Sequence, residues 1–353
     1  MQQTSEIIPQ KEAPRIEWID IAKGGAILMV VFFHASIQIE ESTSGLPGPI
    51  WQINNYLLPI LMPLFFFVSG YLSRRAVERG WRALLLEKTI LYFYLIVIWS
   101  CIIWAQSALL ASNSESLFEY LKSNLFPPQN RLWFIAALGL YFPLTKLVLP
   151  WHKAGFVLAA GSYLTVSLGN IEFDSYVYEN LLSFYVFFLG GCIWGAIAVS
   201  KLKANLLHAG AAAAIYLSLM AASTKLSGAL STMATAALPL IGLILGCYAA
   251  IFIARVGGIS RIGVYLGKTT LPIYLAHSII ISIAVHAVPW PDELGLLFSG
   301  GAVILLTGLG VTASLVLRNA AIRMRLDWLY SLPWAPTVTS SAARNALRAQ
   351  EKY

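Results

Sequence analysis

Three ionisable side chains lie on one face of the first hydrophobic helix that the sequence predicts. His34 follows Lys23 by eleven residues, and Asp20 precedes Lys23 by three. Eleven residues of an α-helix turn through about 1100°, roughly 20° more than three full turns, and rise about 16 Å. The three side chains therefore share a stripe, with Lys23 at the membrane boundary and His34 deep inside. An ionisable group at that depth is costly, so by default it indicates a functional site.

A second histidine, His277, lies within another apolar segment and is expected at a similar depth. It rises about 13 Å from Lys268, the charge at the cytoplasmic end of that segment. The ordinary alternative for either histidine is a buried imidazole that hydrogen-bonds a neighbouring helix. For Asp20 and Lys23, the ordinary alternative is an ion pair that anchors the helix at the interface. No metal-ligand cluster, phosphate-binding loop or dinucleotide fingerprint is apparent in the sequence.

The composition predicts a membrane protein built from helices. Of the 353 residues, 58% are hydrophobic and only 12% are charged, whereas a typical soluble domain has about 25% charged residues. Ten stretches contain no Asp, Glu, Lys or Arg, and most reach the roughly 18–20 residues that cross a bilayer. These stretches are 24–39, 42–73, 89–114, 132–145, 154–171, 180–200, 204–224, 226–254, 269–291 and 294–317. We therefore expect an all-α, polytopic transmembrane bundle of about ten spans.

The distribution of charge predicts that both chain ends lie in the cytoplasm. With ten spans and a cytoplasmic N-terminus, 21 of the 24 lysines and arginines fall on the inner side, as the positive-inside rule requires. The outer connections are acidic instead and contain Glu40, Glu41, Glu115, Glu119, Glu172, Asp174, Glu179, Asp292 and Glu293. Topology and anionic lipid explain the net charge of +7, so no nucleic-acid partner is required.

We expect one integral-membrane domain at 15–317, between a flexible cytoplasmic N-terminus at 1–14 and a basic cytoplasmic tail at 318–353. The N-terminal segment is polar and contains two prolines, which is typical of poorly ordered termini. No cleavable signal peptide is apparent, because the first span follows this polar segment and fits a retained anchor.

Five sequence motifs resemble, in the same order, those of the acyltransferase 3 family of membrane O-acyltransferases. They are residues 19–24 with His34, then 62–71, 132–135, 187–191 and 266–277. Together they cover roughly residues 15–317, which is nearly the whole membrane portion. One position differs, since Lys23 stands where that family usually has arginine. This form resembles the subset of fucose 4-O-acetylase-like proteins.

The resemblance implies an enzyme that transfers an acyl group, usually acetyl, from cytoplasmic acyl-CoA to a hydroxyl of a cell-surface or exported glycan, a lipid-linked sugar or a lipo-oligosaccharide. It implies a multi-pass protein of the bacterial inner membrane that uses acyl-CoA as a donor substrate and holds no permanent cofactor. A buried imidazole is expected to be neutral. His34 could then act as a general base on the sugar hydroxyl or accept the acyl group itself. Lys23 would anchor or orient the donor, with Asp20 holding Lys23 in place.

Arginines beside the second predicted span are candidates for binding the donor. The paired-arginine motif of the family is matched loosely by Arg79 and Arg82 or by Arg74 and Arg75. These side chains could hold the nucleotide phosphates, and they could equally anchor the loop at the membrane surface. Ser69 could hydrogen-bond within the site, or it could serve close packing between helices.

Two residues predicted at the outer mouth are candidates for binding the acceptor. Arg131 and Trp133 could hold a sugar by hydrogen bonding and ring stacking, although a tryptophan at an interface is also typical of an aromatic belt. His277 is expected to form a second wall of the same site.

Two other classes of function stay open at this stage. A secondary transporter could use His34 and His277 as proton relays. Transporters typically have symmetric halves and helices interrupted near the midplane, and neither feature is clear here, although Pro59, Pro63, Pro239 and Pro272 could interrupt helices. A subunit that binds acyl groups or serves as a scaffold without activity is the third class, because Lys23 departs from the family pattern.

Overall fold

Every regular element is helical in the part of the chain that the computed structural model describes, namely residues 16–110, 115–125, 127–128, 131–169, 171, 173–291 and 295–333. The predicted flexible segment 1–14 and residues 334–353 of the predicted tail lie outside the described residues. So do Glu172, Asp292 and Glu293 of the predicted outer connections. A helix pairs its backbone N–H and C=O groups internally, and this is required in a bilayer because lipid tails offer no hydrogen-bond partners.

The described residues form thirteen α-helices. They are α1 Glu17–Glu41, α2 Gly48–Glu78, α3 Trp81–Leu84, α4 Ile90–Leu110, α5 Leu117–Asn124, α6 Trp133–Val148, α7 His152–Ser167, α8 Tyr176–Lys201, α9 Leu206–Lys225, α10 Ala229–Ile253, α11 Gly257–Lys268, α12 Thr270–His286 and α13 Leu296–Arg323. A π-helical turn at Leu85–Thr89 joins α3 to α4, and a 3-10 turn at Leu149–Trp151 joins α6 to α7.

The number of candidate spans is eight or nine. Eight helical stretches are long and apolar enough to cross a membrane, and α11 with α12 forms a ninth candidate that is bent by 83°. A polytopic, all-helical membrane protein is therefore confirmed, while the predicted number of spans, ten, exceeds this count. Part of the difference arises at 133–167, which counts as one stretch of 35 residues, whereas the sequence predicts two spans there.

The chain reverses its direction between α6 and α7. Two contacts place α6 alongside α8 in the same direction, and two place α7 alongside α8 in the opposite direction. The α6 contacts are Tyr141 with Leu181 and Thr145 with Tyr185, and the α7 contacts are Phe156 with Trp194 and Tyr163 with Phe187. A Cβ atom at Gly155 would lie 1.8 Å from Cγ1 of Val148, although residues seven apart in a straight helix are separated by about 10 Å.

The prolines of the spans do not break them. Pro59 and Pro63 lie inside the continuous helix α2, and Pro239 lies inside α10. The sharp bend instead separates α11 from α12, before Pro272 in the first turn of α12.

Helices α1 and α11 cross with their backbones in direct contact. A Cβ atom at Gly24 would lie 2.3 Å from the carbonyl oxygen of Gly263, and one at Gly267 would lie 1.8 Å from that of Asp20. Only glycine fits at these two positions as the helices stand. Small residues are what allows membrane helices to approach this closely.

The same kind of contact joins α2 to α8. A Cβ atom at Gly70 would lie 1.9 Å from the carbonyl oxygen of Phe188, and one at Gly191 would lie 2.0 Å from that of Phe67. Both glycines belong to motifs that carry the family resemblance, and in the structure they act as packing residues.

The segment that follows α13 folds back against α4. The helix continues to Arg323, so residues 318–323 of the predicted tail are helical. The chain then turns at Arg325, whose φ is +60°. The indole nitrogen of Trp99 donates to the carbonyl of Leu329 at 2.8 Å, and the Tyr94 hydroxyl donates to that of Trp328 at 3.1 Å. These bonds attach the end of the described chain to α4.

Adjacent glycines of α1 provide a test of the α1–α11 crossing. Gly24→Ala places a methyl group against the backbone of α11 and should lower the free energy of unfolding by about 1–3 kcal/mol, the usual cost of overpacking. At Gly25 a Cβ atom meets nothing within 4 Å, so Gly25→Ala should be neutral or add the roughly 0.5–1 kcal/mol that alanine gains over glycine in a helix. Thermal unfolding of both variants in detergent measures the difference, and equal melting temperatures would contradict the close crossing.

Candidate active site

Two cavities lie at different heights along α1, and each receives one residue of the predicted stripe. Lys23 lines a cavity of about 530 Å³, and His34 lines another of about 620 Å³. Both volumes are within the range of roughly 300–1,000 Å³ that is common for small-molecule sites. We refer to them as the Lys23 cavity and the His34 cavity. Lys23 and His34 therefore share a helix face but line separate cavities.

The Lys23 cavity is basic. Lys23 from α1, Arg75 from the end of α2, Arg79 and Lys88 all line it, together with the carboxylate of Glu87. Glu87 accepts a hydrogen bond from Nη1 of Arg79 at 2.7 Å, so it offsets one of the four positive charges. A cavity that keeps a surplus of positive charge concentrates anionic ligands.

The arginines predicted to bind the donor divide between this cavity and other surroundings. Arg75 and Arg79 line it. Arg74 instead pairs with Glu78 of α2 and donates to the carbonyl of Cys192 at 3.3 Å. Arg82 is exposed and is not among the lining residues. Each of the two predicted arginine pairs therefore contributes one residue to the lining of the Lys23 cavity.

Lys146 fixes the loop that presents Arg79. Its ammonium group donates to the carbonyls of Val77, at 2.8 Å, and of Arg79 itself. It also lies 5.4 Å from the ring centroid of Trp81, within the distance of a cation–π contact. A cation that binds the last carbonyls of a helix stabilises its C-terminal end, so Lys146 of α6 holds the end of α2 in place.

The His34 cavity combines polar groups with aromatic rings. Glu41, Arg131, Tyr176 and Asn180 line it beside His34, and its aromatic lining includes Phe33, Trp133 and Phe184. The Arg131 guanidinium lies 3.6 Å from the Glu41 carboxylate and donates to Ser278 Oγ at 2.7 Å. Burial lowers the pKa of Arg131 while Glu41 opposes that change, and arginine, with an ordinary pKa above about 12, stays charged in proteins.

A third cavity, of about 430 Å³, adjoins the His34 cavity at Arg131 and Glu41. Its lining is rich in uncharged polar side chains from α1, α4 and α12, among them Gln38, Gln106, Ser278 and Ser282. Gln106 donates to Ser282 Oγ at 2.9 Å, and Gln38 donates to the carbonyl of Ser278 at 3.1 Å. Hydroxyl and amide groups of this kind bind neutral, hydroxyl-rich ligands.

The two predicted histidines lie side by side. Their ring centroids are 5.2 Å apart, and His277 is 0% exposed. Nδ1 of His277 lies 2.8 Å from the carbonyl oxygen of Ile273, which can only accept, so this nitrogen carries a proton and Nε2 is the acceptor of the neutral ring. Nε2 of His277 and Nδ1 of His34 are both buried with no hydrogen-bond partner in the described part of the chain. Buried polar atoms are usually paired, so unpaired ring nitrogens of this kind indicate a functional role.

Three aromatic side chains line both cavities and so form the wall between them. We call Phe65, Phe134 and Tyr274 the aromatic partition. The ring centroids are 4.6 Å apart for Phe65 and Phe134, and 5.5 Å apart for Phe134 and Tyr274. The Tyr274 hydroxyl donates to the carbonyl of Arg131 at 2.6 Å and accepts from the backbone nitrogen of Phe134 at 3.3 Å.

The remaining predicted residues occupy different positions around the two cavities. Ser69 lines the Lys23 cavity, and Trp133 lines the His34 cavity. Asp20 is 4% exposed and lines neither of them, and its carbonyl is packed against Gly267 of α11.

Sequence reasoning missed Lys88, Glu41 and the aromatic partition. In the sequence, Glu41 is one of several acidic residues of the predicted outer connections, and Lys88 is one of the basic residues on the predicted inner side. The partition had a clearer signal, because its members come one each from the motifs at 62–71, 132–135 and 266–277. Motifs that are distant in the chain meet at one wall.

Comparison with known proteins identifies the family of the chain. Residues 16–319 match the acyltransferase domain that defines the acyltransferase 3 family. The inner membrane protein YcfT of Escherichia coli (strain K12) is 26% identical over 360 residues, which cover 92% of this chain and 98% of that protein. No solved structure matches the chain. The match to the family includes both cavities and all five motifs, and the chain therefore belongs to the acyltransferase 3 family.

Proposed function

We propose that the protein is a membrane O-acyltransferase that moves an acyl group, normally acetyl, from cytoplasmic acyl-CoA to a hydroxyl of a cell-surface or exported glycan or lipo-oligosaccharide. The observation that carries the proposal is the pair of cavities along α1, one basic and one containing an imidazole, with a shared aromatic wall. Membership of the family supports acyl transfer. The lysine at position 23 supports a place near the fucose 4-O-acetylase-like subset.

The proposed topology has ten spans with both chain ends in the cytoplasm. The reversal between α6 and α7 supports this topology, because two antiparallel helices of 16 residues each replace one candidate span. The number of candidate spans then rises from nine to ten. The positive-inside rule then places the Lys23 cavity on the cytoplasmic side. The E. coli relative supports a bacterial inner membrane as the location.

The Lys23 cavity is the proposed donor site. Coenzyme A carries several phosphate charges, and Lys23, Arg75, Arg79 and Lys88 converge on this space. A lysine provides a compact point charge, and an arginine can bind two phosphate oxygens at once. The extended arm of the donor would then follow α1 toward His34, which lies about 16 Å farther along the helix.

The His34 cavity and the adjoining third cavity are the proposed acceptor site. Arg131, Asn180 and the neighbouring serines and glutamines suit the hydroxyl groups of a sugar. The ring of Trp133 offers an apolar face for stacking. The two cavities meet at Arg131 and Glu41, so an acceptor of more than one sugar unit would extend past this ion pair.

His34 is the proposed general base. The acceptor oxygen attacks the thioester carbonyl as its proton passes to a nitrogen of the neutral His34 ring. The new C–O ester bond forms, the C–S bond breaks, and the proton finally reaches the CoA thiolate. The charged Arg131 guanidinium on the same cavity would stabilise negative charge on the carbonyl oxygen. His277 lines none of the three cavities and so is not the second wall that the sequence predicts; fixed by its bond to Ile273, it packs beside the His34 ring.

Replacing His34 tests the central step. We expect His34→Ala to lower acyl transfer by about 100-fold or more, since general-base catalysis typically contributes about 10²–10⁴-fold. Release of CoA from radiolabelled acetyl-CoA by purified protein, with extracted surface glycans as acceptors, measures this loss. His152→Ala is the control, because His152 lines none of the three cavities. Full activity of His34→Ala would refute the proposal, and acetyl label retained on the wild-type protein without acceptor would assign His34 the acyl-carrying role instead.

Substitutions of Lys23 test the donor site. Lys23→Ala should raise the KM for acetyl-CoA by about tenfold or more, because a hydrogen bond to a charged group contributes about 1.5–3 kcal/mol and 1.4 kcal/mol corresponds to a factor of ten. Lys23→Arg should keep part of the affinity, since the positive charge persists. Steady-state kinetics with varied acetyl-CoA separates these outcomes. Equal kinetic constants for Lys23→Ala and Lys23→Arg would contradict a role in donor binding and leave Lys23 as a residue that anchors α1 at the membrane surface.

A further inference from the structure

The aromatic partition lies directly in the path of the acyl group. Its three side chains border the Lys23 cavity on one side and the His34 cavity on the other. If the donor phosphates bind beside Lys23 and the reaction takes place at His34, the acyl end of the donor must pass this wall. The following inference rests on that proposed function.

Phe134 is in ring contact with both other members of the partition. Phe65, Phe134 and Tyr274 are 5%, 5% and 6% exposed. Ring centroids 4.6 and 5.5 Å apart are at the separations of aromatic pairs in contact. No alkyl chain fits between the rings of either pair at those distances. Passage between Phe134 and either neighbour therefore requires a ring to turn aside.

The three members of the partition differ in how firmly they are held. Tyr274 is fixed at its hydroxyl by the carbonyl of Arg131 and the backbone nitrogen of Phe134. The rings of Phe65 and Phe134 are hydrocarbons and are held by packing alone, for example the contact of Phe134 with Phe66 at 4.7 Å. Tyr274 is thus the fixed side of the opening, and the two phenylalanines are the side that can move.

Space beyond the partition is shared between the acyl group and the acceptor. The His34 cavity holds about 620 Å³, and the sugar that receives the acyl group must occupy part of it. Each methylene added to the acyl chain must pass the phenylalanine rings and then compete with the sugar. Pockets that distinguish chains differing by one methylene do so by about 10–200-fold.

We propose that Phe65 and Phe134 select the length of the acyl chain and restrict the donor to short acyl groups. The two rings act as a steric limit at the boundary between the cavities. Tyr274 sets the position of that limit through its bonds to Arg131 and to Phe134 in the first turn of α6.

Neighbouring phenylalanines of α2 provide a matched test. Phe67 is partly buried on the same helix and lines none of the three cavities. We compare wild type, Phe65→Leu, Phe65→Ala, Phe134→Leu and the control Phe67→Leu. Initial rates of CoA release with acetyl-, butyryl- and hexanoyl-CoA give the chain-length preference as a ratio of kcat/KM values, which is independent of the amount of folded protein.

We expect the preference for acetyl over butyryl to fall by about tenfold or more in Phe65→Ala, and by less in the two leucine variants of the partition. Phe67→Leu should keep the wild-type ratio. An unchanged ratio in an active Phe65→Ala variant, or an equal shift in Phe67→Leu, would overturn the role of the partition alone. A wild-type protein that releases no CoA from any of the three donors would overturn the proposed function itself.

Discussion

The backbone contact between α1 and α11 is the constraint on which the rest of the structure depends. Between membrane helices there is no hydrophobic driving force comparable to that in water, and close van der Waals packing takes its place. Gly24 and Gly267 allow the two helices to touch through their main chains. Because α1 carries both Lys23 and His34, this contact sets the height and rotation of both side chains. It also brings His34 against His277, since α12 continues from α11 after the bend.

The functional groups are distributed over helices that meet at the middle of the bundle. The basic groups come from α1, from the end of α2 and from the segment that enters α4, whereas the polar groups around His34 come from α1, α8 and the turn before α6. The aromatic partition takes one ring each from α2, α6 and α12. Four of the five motifs therefore contribute residues to the lining of the two cavities, whereas the motif at 187–191 lines neither, and no motif forms a site alone.

Much of this arrangement could be anticipated from the sequence, and its limits have physical causes. Hydropathy and loop charge predicted a helical membrane protein, and the period of the helix placed Lys23 and His34 on one face. That period says nothing about neighbouring helices, so the division of the stripe into two cavities was not visible. Arg74 and Arg75 are adjacent in the chain, yet a rotation of about 100° per residue directs only Arg75 into the cavity. Asp20 shares the stripe with Lys23 but is covered by α11. The only sequence signal of this contact is the glycine at position 267.

The attachment of the last described residues to α4 has a consequence for how the protein assembles. Helix α4 begins at Ile90, and its Tyr92 forms part of the wall of the Lys23 cavity. In its first half, Tyr94 and Trp99 donate to the carbonyls of Trp328 and Leu329, more than 220 residues later in the chain. A protein is synthesised from its N-terminus, so most of the bundle is in the membrane before these bonds can form. The attachment of α4 thus waits until residues 328 and 329 have been synthesised, and a nascent or truncated chain that stops after α13 contains helices α1 to α13 but lacks these two bonds.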